Sequence, residues 1–315
     1  MTRAGESAGI SLPPRLRPGD RVRLVSPASP PEREQVLRGA EILAGWGLVV
    51  ETGEHVFDRR GHYLAGRDED RLADINEALR DPGVRAIFST RGGKGAYRIA
   101  HGLDFDAASR DRKPLVGFSD ITILHLALWK HCRNGGFHGP HMGWDDAWYG
   151  DAAADSLRRA LMEPKPICIQ QDAGELTAGI VREGAAAGVL IGGNLGMIGT
   201  AVGWACPSFA GAILLIEAID TYLGQVDRTL TQLLRSGVLE GLEGVAVGQF
   251  IRCSEERPGK WSVVDVLEDR LSALGVPVLG GLPIGHGRHP LTVPLGTMAR
   301  VDTASRSLTV EPGVH

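Results

Sequence analysis

The sequence predicts an α/β protein. An N-terminal domain on a parallel sheet, residues 1–163, precedes a C-terminal mixed α/β domain with a small β-barrel-like sheet, residues 164–315. Three observations carry this. In the first half, short apolar runs alternate with stretches of helical periodicity, as in βαβ units whose parallel sheet is covered on both faces. Glu163-Pro164-Lys165-Pro166 reads as a linker. Beyond it the pattern changes to short apolar runs separated by turns.

Taken in order, Pro18-Gly19-Asp20 turns the chain into a first strand over 21–25. A serine- and proline-rich loop follows, and Val36, Ala40 and Leu43 share one face of a helix over 32–44. Residues 48–50 form a second strand, and a polar loop carries His55, Asp58 and His62. The next helix, 68–79, has Leu72, Ile75 and Leu79 on one face and stops at Asp81-Pro82-Gly83. A third strand, 84–89, runs straight into Arg91-Gly92-Gly93-Lys94-Gly95. The fourth opens at Leu115-Val116 and breaks at Gly117-Phe118-Ser119-Asp120. It gives way to Ile121, Leu124 and Leu128 at helical spacing. Residues 135–141 form a glycine-rich loop and 151–162 a helix. In the second half strands are expected at 167–170, 177–181, 188–191, 212–216 and 245–248. A small-residue helix follows Gly192-Gly193-Asn194-Leu195, and further helices cover 226–234 and 263–274. Residues 277–279 lead to Pro283-Ile284-Gly285-His286, and 292–310 alternate like a closing β-hairpin.

A chain of 315 residues has room for two cores. Its 43 glycines are nearly twice the usual share of about 7%, so many tight turns are expected. A net charge of −4 gives no field favouring nucleic acid or an anionic membrane. Residues 1–12 have no apolar h-region and no apolar run approaches a membrane span, so a cytoplasmic location is expected. Cys132, Cys168, Cys206 and Cys253 lie far apart without C-x-x-C spacing and read as small hydrophobes. No histidines show H-E-x-x-H spacing, and no metal site is expected.

In open parallel sheets ligands gather at the carboxyl ends of the strands, where the glycine loop 91–95 and Ser119 both fall. A serine on a sharp strand-to-helix turn presents its hydroxyl beside the free N–H groups and positive dipole of a helix N-terminus. That suits a nucleophile with part of an oxyanion hole. Capping of the helix by Ser119 or Asp120 fits the same residues. The turn is not G-x-S-x-G, because Ile121 occupies the place of the last glycine. Loop 91–95 lacks both G-x-x-x-x-G-K-[ST] and G-x-G-x-x-G, which leaves a plain tight turn or a second oxyanion donor. Glu217 ends a five-residue apolar run, where a carboxylate is costly unless paired or in a cleft. His286 lies between two glycines. Together Ser119, His286 and Glu217 supply a nucleophile, a general base and an acid that orients the base.

With these residues the chain resembles the serine-type LD-carboxypeptidases (muramoyltetrapeptide carboxypeptidases), a family that includes the microcin C immunity peptidases. The matching segments are Arg91-Gly92-Gly93-x-Gly95, Gly117-Phe118-Ser119-Asp120-Ile121-Thr122, His138-Gly139-Pro140, Gly192-Gly193-Asn194-Leu195, Ile216-Glu217, Asp227-Arg228-x-Leu230 and Pro283-x-Gly285-His286. They come in family order. The resemblance implies a catalytic triad of Ser119, Glu217 and His286 completed between the two domains. It also implies an oxyanion hole from the backbone N–H groups of Gly93 and Asp120, a homodimer, and neither metal nor cofactor. The implied substrate is a peptide or peptidyl small molecule. Its amide bond is hydrolysed to release terminal D-alanine from murein tetrapeptide in peptidoglycan recycling. Arg91, Gly92, Lys94 and Asn194 are the expected substrate contacts. Many relatives have tyrosine where this chain has Lys94, which either meets a substrate carboxylate or points to solvent. His141, just after His138-Gly139-Pro140, ranks below His286 as the base. The same triad would serve a hydrolase of peptidyl or aminoacyl nucleotides. A non-catalytic ligand-binding protein would keep the fold without the chemistry.

Overall fold

The structure is a computed structural model and describes residues 11–253 and 261–315. Its first half runs β1 (Arg21–Val25), α1 (Arg33–Gly45), β2 (Val49–Thr52), α2 (Asp68–Arg80), β3 (Val84–Ser89), α3 (Ala96–Ile99), α4 (Phe105–Arg110), β4 (Leu115–Gly117), α5 (Thr122–Cys132), β5 (Phe137–His138) and α6 (Gly150–Met162). The second half continues with β6 (Ile167–Gln170), β7 (Val181–Arg182), β8 (Ala185–Asn194), α7 (Leu195–Ala201), β9 (Ala212–Ile219), α8 (Leu223–Arg235), β10 (Gly244–Ile251), α9 (Val263–Ser272), β11 (Val278–Leu279), β12 (Val293–Pro294), β13 (Met298–Asp302) and β14 (Ser307–Val310).

The first sheet has the order β12-β5-β4-β3-β1-β2, parallel throughout except where β12 meets β5. Its inner strands β3 and β4 are buried on both faces because alternate side chains enter different cores. Ala86 and Phe88 pack with Val36 and Leu43 of α1 and Leu157 of α6. Ile87 and Leu115 pack with Ile75 and Leu79 of α2 and Leu124 of α5. The latter core continues past α5 into the second half, through Ile198 of α7, Ile216 of β9, Leu230 of α8 and Leu267 of α9. Helix α5 is therefore clamped from both sides, and Ile121, Leu124 and Leu128 are all buried.

The second sheet has the order β6-β14-β13-β8-β9-β10-β11-β7, with β8, β9, β10 and β11 parallel and the outer strands antiparallel. The barrel-like sheet expected here is an open eight-stranded sheet ending at β6 and β7. The strand expected over 177–181 begins only at Val181. Thr177 is drawn out of a ladder by its hydroxyl, which donates to Gly248 O and accepts from Gly281 N. The closing hairpin is β13–β14. The start of that segment departs instead to pair with β5 at the edge of the first sheet, where Pro294, lacking an N–H, is tolerated.

At the end of β4 the chain turns hard. Phe118 is extended, Ser119 has φ 61°, and one 3₁₀ turn over Ser119–Ile121 feeds α5. A non-glycine residue in the left-handed region is uncommon and strained by roughly 1–2 kcal/mol. Neither Ser119 nor Asp120 caps α5 with its side chain. Asp120 instead accepts a 2.7 Å hydrogen bond from Ala96 N, tying this turn to the end of the glycine loop.

That brace has a pH signature. Burial pushes the Asp120 carboxyl up to about 6, against the lowering effect of the Ala96 hydrogen bond. A raised pKa means the folded state holds the proton that the unfolded chain has released, so charging Asp120 costs stability as pH rises from about 4 to about 6. Relative to Asp120→Asn, the wild type should lose on the order of 1–3 kcal/mol across that window, read by urea unfolding. A stability difference that stays constant from pH 4 to 6 contradicts this.

Candidate active site

A cavity of about 740 Å³ opens at the carboxyl ends of β3 and β4, lined by Gly92, Gly93, Lys94, Ser119 and Asp120 from the first half. Asn194, Asp220 and His286 close it from the second half. Every site residue expected from the sequence lines it except Glu217, which lies fully buried behind His286.

Ser119 reaches the cavity because β4 ends at Gly117 and the strained turn lifts the next residues out of the sheet. The glycine loop lies directly over it. A Cβ on Gly92 would stand 2.8 Å from Ser119 Cβ and 3.0 Å from both Ser119 Oγ and His141 Nε2, so no larger residue fits. The loop after β1 holds this cover in place. Ser29 N donates to Gly92 O at 3.0 Å, Lys94 N donates to Ser29 Oγ at 3.0 Å, and the Arg91 guanidinium donates to Pro30 O at 2.8 Å. Gly93 has φ 98°. Neither the Gly93 nor the Asp120 amide donates a backbone hydrogen bond among the described residues, which leaves two N–H groups beside the serine.

His286 Nδ1 sits 2.5 Å from Glu217 Oε2. The carboxylate is in the last part of β9, two residues before Ile219, and completely inaccessible, while the imidazole is one-tenth exposed. Glu217 Oε1 accepts from Asn194 Nδ2 at 3.2 Å. Burial pushes the Glu217 carboxyl up, but the attraction of His286 and hydrogen bonds from His286 and Asn194 outweigh it. The group lies below its ordinary value and is charged. His286 is fixed from its backbone as well. Its carbonyl accepts from Trp148 Nε1 at 3.1 Å, and Gln249 Oε1 accepts from Gly287 N at 2.7 Å. With Nδ1 committed to the carboxylate, Nε2 is the ring nitrogen left for chemistry. Among the described residues no hydrogen bond joins the Ser119 and His286 side chains, although both line the same cavity.

Three further histidines surround the site. His141 stacks on Phe118 with centroids 4.4 Å apart, and its Nδ1 meets Ser89 Oγ at 2.8 Å. His138 meets the edge of Phe118, and His125 Nε2 meets Leu115 O at 3.0 Å. Burial pushes all three down, His138 to about 4, His125 to about 3 and His141 well below its ordinary value. They are neutral packing elements at neutral pH. None of them has the carboxylate partner that His286 has. One ligand atom from each of His55, Asp58 and Asp70 lies within 4.8 Å of the others, outside this cavity, and Arg67 grips Asp70 by Nε and Nη2.

Ser29, Trp148 and Gln249 support the site without having been singled out in the sequence. Gln249 carried a readable signal, a polar residue closing the apolar run Val245-Ala246-Val247-Gly248 just as Glu217 closes its own. Ser29 and Trp148 sit in loops where no periodicity marks them.

The description "LD-carboxypeptidase N-terminal domain" matches residues 22–139, and "LD-carboxypeptidase C-terminal domain" matches residues 187–301. The chain is 35% identical to the Bacillus subtilis protein named "Probable murein peptide carboxypeptidase", across 96% of this chain and 95% of that one. It is 31% identical to the Murein tetrapeptide carboxypeptidase of Pseudomonas aeruginosa, across 89% and 92%. Its fold is similar to that of MccF, in Escherichia coli named the Microcin C7 self-immunity protein. The MccF structure in complex with glutamyl sulfamoyl guanosine aligns with TM-score 0.84 at 23% identity, covering 95% of this chain and 98% of that chain. With both halves matched and identity above 30% over nearly its whole length, the chain belongs to the LD-carboxypeptidase family of hydrolases.

Proposed function

We propose that the protein is a serine peptidase that hydrolyses the LD-amide bond of murein tetrapeptide and releases terminal D-alanine. The observation that carries this is the 2.5 Å His286–Glu217 couple facing the same cavity as Ser119. Serine is a weak nucleophile until a neutral imidazole takes its proton, and a buried carboxylate holds that imidazole in the needed tautomer and stabilises the imidazolium. Ser119 Oγ attacks the carbonyl carbon as its proton passes to His286 Nε2. The carbonyl oxygen, gaining charge, is received by the N–H groups of Gly93 and Asp120. Collapse of the tetrahedral intermediate breaks the C–N bond, the leaving amine takes the proton from His286, and water attacks the acyl-enzyme by the same route in reverse.

In this reading residues 1–163 supply the nucleophile and oxyanion donors, and residues 164–315 supply base and acid. Arg91, Gly92, Lys94 and Asn194 contact substrate. A role in peptidoglycan recycling, a cytoplasmic location and a homodimer belong to the same proposal. A second reading has one specific support, the likeness of fold to MccF: the same residues would cleave peptidyl or aminoacyl nucleotides.

Ser119→Ala is expected to fold normally and lose about 10⁶-fold in kcat, and Glu217→Gln about 10⁴-fold, read by mass spectrometry of a tetrapeptide digest. Retained turnover in Ser119→Ala overturns the assignment. Offered tetrapeptide and an aminoacyl sulfamoyl adenosine side by side, the wild type should cleave the tetrapeptide. Cleavage of the adenosine compound alone selects the second reading.

A further inference from the structure

We propose that Lys94 is a specificity-determining residue that binds the free carboxylate of the leaving residue and makes the enzyme an exopeptidase; this rests on the hydrolase reading above. The cavity wall carries several charged side chains, most of them already answered; Asp145, whose carboxylate accepts only from Ala147 N at 3.0 Å among the described residues, is an exception among the acids. Glu32 is paired with Arg59 at 3.2 Å, and Asp220 is held by Nε and Nη2 of Arg252 at 2.6 and 2.7 Å. Arg91 is turned to Pro30 O. Lys94 also lines the cavity, and its ammonium has no carboxylate or carbonyl partner among the described residues.

The position of Lys94 is as informative as its charge. Its own amide donates to Ser29 Oγ at 3.0 Å, which ties its backbone, and with it the adjoining Gly93, to the loop after β1. In an amide whose leaving residue ends the chain, the carboxyl carbon is three bonds from the scissile carbonyl carbon, within about 4 Å of it. With the carbonyl oxygen about 2.9 Å from the Gly93 N–H, that carboxylate falls within the span of a lysine side chain rooted one residue further on. A carboxylate is also the one group an isolated ammonium at this distance would favour over a neutral amide end. The side chain is exposed, so the attraction is worth about tenfold in affinity rather than the full value of a buried pair, and it weakens with salt.

The test compares the tetrapeptide free acid with its C-terminal amide. The wild type should cleave the acid with about tenfold higher kcat/KM than the amide. In Lys94→Met that preference should vanish through a rise in KM for the acid alone, and Lys94→Arg should restore part of it. Binding of both ligands to Ser119→Ala and to Ser119→Ala/Lys94→Met, read by calorimetry without turnover, should show the same difference. If the wild type cleaves the acid but Lys94→Met weakens acid and amide equally, or neither, the carboxylate subsite is overturned and the hydrolase reading stands. A loss that instead follows amidation of a side-chain carboxylate overturns the assignment to the leaving residue. If the wild type cleaves neither ligand, the murein-peptidase reading fails and the subsite fails with it.

Discussion

The structure depends on a carboxylate that has no access to water. An unpaired charge at Glu217 would cost several kcal/mol, and an attraction in a low-dielectric interior repays this only with close geometry and further hydrogen bonds. Here His286 supplies the first at 2.5 Å and Asn194 the second at 3.2 Å. Each partner is in turn fixed: Asn194 caps α7 through Met197 N and donates its own amide to Thr122 Oγ1 at the start of α5. The charge on Glu217 thus reaches, in two steps, the helix that follows Ser119. Because the Glu217 pKa is depressed, the stabilisation by the pair is present above the ordinary carboxylate range and is lost as pH falls through the folded value.

The two halves also share one apolar core. The apolar cluster runs unbroken from α2 through α5 into α7, α8 and α9, and β12 from the second half completes the edge of the first sheet. The proposed site, with its nucleophile in one half and its base and acid in the other, needs their relative position held to within about 0.5 Å. A continuous close-packed core transmits position in that way, since such packing resists small displacements.

Much of this was legible in the sequence where local chemistry and burial agree. The βα alternation up to α5 follows from apolar periodicity, and the place of Ser119 and the glycine loop at the cavity follows from their position at carboxyl ends of strands. Glu217 was conspicuous as an acid closing an apolar run. What local pattern could not carry was everything set by tertiary contact. The capping role of Asp120 belongs to α3, twenty-odd residues away in sequence, because its partner Ala96 is brought to it only by the parallel pairing of β3 and β4. Thr177 reads as a strand residue until its hydroxyl is claimed by Gly248 and Gly281. The departure of β12 from its hairpin turns on a vacancy beside β5 that no window of sequence contains. Segment 254–260 lies outside the described residues.

The central claim is that Ser119 is the nucleophile activated across the seam between the halves. Treatment of the purified protein with a fluorophosphonate, followed by peptide mapping, tests it most directly. The account predicts a single phosphonyl adduct on Ser119 that forms much more slowly in His286→Ala. An unlabelled Ser119, or labelling that proceeds equally fast without His286, contradicts it.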